Sequence, residues 1–137
     1  MLPVMTDHAM APSLPPAVER FVGAVNRSDG EEAVAAFAAD ALVNDIRREF
    51  HHTPAIRAWL EREIIGDTVR LEVHEARTHH ETTIVTARTT GNFDKTKVTD
   101  PLDLTLYFNA SPEAITQLIV IANQPTPQWA ASDQGAS

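Results

Sequence analysis

The residue best suited to chemistry in this chain is Asp45. It follows the apolar strand start Leu42-Val43, and two-residue alternation puts its side chain on the face of Val43. A carboxylate set beside apolar groups loses hydration and gains basicity, so it can serve as a general base near neutral pH. A second reading of the same residue pairs it with Arg47 or Arg48 in a short hairpin. Six histidines raise the question of a metal site. Zinc needs three or four ligands converging on one point, and neighbours on a strand point to opposite faces. His51-His52 and His79-His80 are therefore expected at solvated strand ends and loops, with no metal bound. The chain has no cysteine, which excludes disulfides, thiolate metal sites and a cysteine nucleophile.

The bulk numbers narrow the partners. At 137 residues the chain has the length of one ordinary domain. With 43% hydrophobic and 22% charged residues it reads as globular, not disordered. The net charge is −8, and Arg47-Arg48 is the only adjacent basic pair. Nucleic acids and anionic membranes both demand clustered cations, so neither is an expected partner. No apolar run reaches membrane-spanning length and the N-terminus lacks a basic leader, so a cytoplasmic location is the expectation.

Two periods organise the elements that must position these residues. Pro15-Pro16 opens a helix carrying Val18, Phe21, Val22 and Val25 at helical spacing, and residues 26–30 stop it. Ser28 with Glu31, or Asp29 with Glu32, can cap a second helix running to about Asp40. Short extended pieces follow at 42–46 and 48–51. Thr53-Pro54 then reads as the cap and first turn of a third helix, with Ile56, Trp59, Leu60 and Ile64 on one face and its end at Gly66. Beyond Gly66 the period becomes two. Val69, Leu71 and Val73 alternate with polar residues, as do Leu102, Leu104, Leu106 and Phe108, and Ile115 to Ala122 forms the last strand. Three helices followed by long strands predict an α+β domain over 14–123, with helices on one face of the sheet. Residues 1–13 and 124–137 are expected to be flexible arms.

The runs Phe21-Val22-Gly23-Ala24-Val25-Asn26-Arg27-Ser28-Asp29 and Phe37-Ala38-Ala39-Asp40-Ala41-Leu42-Val43-Asn44-Asp45 resemble the nuclear-transport-factor-2-like (SnoaL-like) superfamily. So do Ala55-Ile56-Arg57-Ala58-Trp59 and the late hairpin beginning Leu104-Thr105-Leu106-Tyr107-Phe108-Asn109. The resemblance spans roughly residues 15 to 123. It implies a cone-shaped, curved, mixed or antiparallel sheet wrapped around the helices, an internal pocket, and a homodimer through the outer sheet face. It also implies a small apolar ligand walled by Phe21, Trp59, Leu104 and Leu106.

In the ketosteroid isomerase branch, the proton-shuttling aspartate stands at the position of Asp45. That branch also needs two donors for the developing enolate. Their positions hold Phe21 and Leu104, which carry no donor. Asp103 is one residue from the second position, but strand alternation turns it to the other face. The epoxide hydrolase branch needs an aspartate two residues beyond an arginine such as Arg88, where Thr90 stands. The resemblance thus implies an apolar-ligand pocket with Asp45 as acid/base in a cofactor-independent isomerase, cyclase or lyase. A ligand-binding or dimerisation module without catalysis is the alternative.

Overall fold

The computed structural model describes residues 13–93 and 101–123. Helix α1 spans Pro16–Asn26 and α2 spans Gly30–Ala35. Strands β1 (Phe37–Asp45) and β2 (Arg48–His51) form a hairpin that leads into α3 (His52–Trp59). α3 continues without a break into a π-helical turn, Leu60–Ile65. Four long strands complete the domain: β3 (Arg70–His79), β4 (Thr82–Thr90), β5 (Leu102–Ala110) and β6 (Ile115–Asn123). The sheet order is β2-β1-β6-β5-β4-β3, antiparallel throughout except for the parallel β1–β6 pair. This is the expected α+β architecture with a mixed sheet. The sheet is open, with β2 and β3 at its edges.

One face of the sheet packs on the helices. Val43, Val85, Ala87, Leu106, Phe108, Leu118 and Val120 are buried there against Phe21, Val25, Ile56, Trp59 and Leu60. Phe21 sits at the centre and meets Phe37 and Phe108 edge-on, at ring separations of 5.4 and 5.7 Å. The end of α1 is tied to the edge strand β3 by one side chain. Asn26 Nδ2 donates to the Leu71 carbonyl (2.9 Å), and Asn26 Oδ1 accepts from the Leu71 amide (2.7 Å). The asparagine amide thereby satisfies both backbone groups of Leu71 as a neighbouring strand would.

Two boundaries differ from the sequence reading. The second helix stops at Ala35, and Phe37–Asp40 are already extended, because Phe37 pairs with Ile115 across the sheet. Its cap is settled as Asp29, whose carboxylate accepts from the Glu32 amide. α3 starts at His52, before Thr53, and has no side-chain cap. Gly66 ends the helical run where the sequence puts its end, with a helical φ of −59° in place of the left-handed conformation in which glycine commonly ends a helix. Its amide donates to the Glu61 carbonyl five residues back (3.0 Å), and a Cβ there would collide with the Arg62 and Glu61 carbonyl oxygens.

Of the expected arms, residues 1–12 and 124–137 lie outside the described residues, as does most of the charged loop 94–101. No helix among the described residues is long and apolar enough to cross a membrane.

Candidate functional site

The inner face of the sheet and the helices enclose a cleft of about 230 Å³. Phe21 and Val25 of α1 form one wall, Trp59 and Ile64 another, and Leu104, Leu106, Leu118 and Val120 form the floor. Asp45, Arg48 and Glu63 stand together in the lining, and Asp67 and Thr89 also reach it. The structure therefore brings Phe21, Asp45, Trp59, Leu104 and Leu106, the five residues singled out from sequence, to one cavity.

Asp45 reaches this place through strand register. On β1 it shares the inward face with Val43, and it stands directly opposite Arg48 on β2 and Val120 on β6. Its side chain is 15% exposed. Asp45 Oδ2 accepts two bonds, from Trp59 Nε1 at 2.9 Å and from Arg48 at 3.1 Å. The carboxylate lines the cleft and is at the same time paired with Arg48, the pairing that the second reading of this residue allowed. Among the described residues none donates to Oδ1.

The Trp59 ring is buried and stacks on Phe50, with centroids 5.8 Å apart. It is a core residue and a cleft wall at once, and its indole N–H, which would be costly to bury unpaired, is satisfied by Asp45.

Sequence reasoning did not find Glu63. Arg48 donates to both of its carboxylate oxygens, at 2.8 and 2.6 Å, in the two-pronged geometry that suits a guanidinium. These bonds hold the Glu63 carboxyl below the usual carboxylate range, against partial burial, which acts the other way. Glu63 belongs to the π-helical turn, whose wider winding changes which residues of the segment face β2. The run Leu60–Ile65 carries no local signal for that turn beyond Gly66 itself.

Other chemistry-bearing residues lie elsewhere. Asp103 is on the outer sheet face, as alternation predicted. It pairs there with Arg88 across the β4–β5 ladder at 2.6 Å, and that bond holds its carboxyl below the usual range. Tyr107 shares this outer face, opposite Ile84 and Ile119. His51 and His79 end strands β2 and β3, and all of His51, His52, His74, His79 and His80 are exposed. Among the described residues, no group of three or more histidine, aspartate or glutamate side chains is arranged to hold a metal ion.

No family model matches the chain, and no curated protein matches it. Solved structures do. A candidate polyketide cyclase from Sinorhizobium meliloti is 24% identical, with a TM-score of 0.70 over 79% of this chain and 95% of that one. An NTF2-like protein of unknown function from Cytophaga hutchinsonii is 12% identical, with a TM-score of 0.64 over 78% and 87% of the two chains. A candidate ketosteroid isomerase from Kribbella flavida is 10% identical, with a TM-score of 0.68 over 82% and 79%.

Proposed function

We propose that this chain, whose fold is that of the nuclear-transport-factor-2-like superfamily, binds a small, largely apolar organic molecule in the cleft and holds its polar group at Asp45. The observation that carries this reading is the asymmetry of the cavity. Leucine, valine and phenylalanine side chains make most of its lining, with Asp67 and Thr89 among them, and the hydrogen-bonded groups Asp45, Arg48 and Glu63 stand together at one place. Apolar walls supply affinity, and a few placed polar groups set orientation. Fold alone would not support this, since one fold serves many functions. Neighbours named for polyketide cyclisation and ketosteroid isomerisation agree with it.

The test is a fluorescence titration with N-phenyl-1-naphthylamine, a neutral apolar probe. Binding is expected to saturate at one site per chain, and Leu104→Trp, which fills the floor of the cleft, to abolish it while thermal melting shows the variant folded. Unsaturable binding, or binding indifferent to Leu104→Trp, overturns the reading.

A second reading makes Asp45 the acid/base of a cofactor-independent isomerase, cyclase or lyase. The bonding of the carboxylate favours it: Trp59 and Arg48 fix Oδ2, while Oδ1 has no donor among the described residues. A fixed carboxylate with one open oxygen is a proton acceptor of set direction. Against it, Phe21 and Leu104 offer nothing to stabilise an oxyanion. Asp45→Asn separates the two. Probe affinity kept within about threefold is expected on either reading, and loss of turnover of a ligand the wild type converts belongs to the second alone.

We also infer a homodimer through the outer sheet face. Ile84, Tyr107 and Ile119 lie side by side there across three strands, next to Ile121, which is 46% exposed.

A further inference from the structure

The loop that joins β1 to β2 consists of Ile46 and Arg47, between the paired residues Asp45 and Arg48. A two-residue hairpin loop matches the twist of its strands when both residues take positive φ, and Asn-Gly and Asp-Gly dominate such loops for that reason. Here the φ values are 49° at Ile46 and 76° at Arg47. A β-branched side chain crowds the backbone in this conformation. Among the described residues, six non-glycine residues have positive φ, and Ile46 is the only apolar one; the others are Ser28, Arg47, His52, Thr68 and His80.

Full burial does not offset the strain, because Ile46 is 49% exposed. The loop is nonetheless held in place. The Ile46 amide donates to the Val120 carbonyl on β6 (3.1 Å), and the Arg47 amide donates to Asn44 Oδ1 (2.9 Å). Ile46 lines the cleft together with Asp45 and Arg48. A residue that suits neither its backbone conformation nor its exposure, yet lines a cavity, is of the kind found at ligand clamps.

We infer that Ile46 is a ligand-contact residue: its side chain closes over the apolar body of a bound molecule, and the ligand covers the half that is exposed in its absence. This rests on the cleft taking an apolar ligand. The strain at Ile46 is then retained for binding, and a residue better suited to the loop should be tolerated by the fold and resented by the ligand.

The test is Ile46→Asn, measured by thermal melting and by titration with N-phenyl-1-naphthylamine against the wild type. Asparagine accepts positive φ, so the melting midpoint is expected to hold or to rise by about 2 to 6 °C. Probe affinity is expected to fall about fivefold or more, the loss of one apolar contact. A fall in the midpoint beyond about 2 °C would make Ile46 an ordinary packing residue and overturn the inference. Affinity within about twofold of the wild type also overturns it and leaves the cleft reading standing. Absence of saturable binding to the wild type overturns both.

Discussion

Arg48 donates three hydrogen bonds to two carboxylates, and Glu63 receives two of them. Those bonds hold Glu63 below the usual carboxylate range. In the unfolded chain Glu63 titrates within that range, so on acidification the unfolded state takes up the proton first. The stabilisation is therefore complete above the usual range and is lost as pH falls through the lower folded value. Arg48 is 53% exposed, so solvent screens the pair, and Glu63→Gln is expected to cost only about 1 kcal/mol at neutral pH. Urea unfolding across pH checks this: the gap between variant and wild type should close below the carboxylate range. A gap that persists in acid would assign the loss to shape instead of charge. The Asp45–Arg48 half of this cluster was legible in the sequence, because the two residues flank a short hairpin. Glu63 was not, since it lies 15 residues from Arg48 and only the folded packing of β2 on the helix brings them together.

The π-helical turn at Leu60–Ile65 is the element that sets Glu63 and Ile64 against the cleft. Its closing bonds run five residues back, from Gly66 to Glu61 and from Val69 to Ile64. The backbone approaches so closely at Gly66 that no side chain fits. Gly66→Ala is expected to destabilise the fold by about 2 kcal/mol or more and to weaken probe binding, as urea unfolding and the fluorescence titration would show. An alanine accepted without loss would mean that the turn relaxes to ordinary helix at little cost. The helical and strand periods identified nearly every element, because one-sided burial imposes those periods locally. The start of β1 escaped for the opposite reason. Phe37-Ala38-Ala39 has helix-compatible residues, and the pairing of Phe37 with Ile115 decides its conformation from far along the chain.

On the scale of the molecule, the outer sheet face is divided by chemistry. Ile84, Tyr107, Ile119 and Ile121 form an apolar patch. Bonded polar pairs bound it, Thr82 with Asn109 and Asn109 with Gln117 on one side, Arg88 with Asp103 on the other. Ile121→Glu places a charge on that patch and is expected to convert a dimer into a monomer without changing the melting of the protomer by more than about 1 kcal/mol. Sedimentation equilibrium reads the mass. Added salt should tighten association of the wild type, since each copy carries a net charge of −8 and screening weakens their repulsion. A wild-type monomer at micromolar concentration would remove the dimer.

What the sequence determined by itself was the periodic part of this protein: three helices, then long strands, an inward face for Asp45 beside Val43, and an outward face for Asp103. Burial on one side of a helix or strand is a local constraint, and it leaves a mark every two or every three to four residues. Tertiary structure decided the rest. It chose Arg48 over Arg47 as the partner of Asp45, brought Trp59 and Glu63 to the same corner, and gave β3 an asparagine side chain in place of a neighbouring strand. The choice between Arg47 and Arg48 waits on the hairpin's turn, and the other contacts join residues whose distance along the chain says nothing of their distance in space; each is fixed only when the sheet packs on the helices and the buried polar groups must find partners.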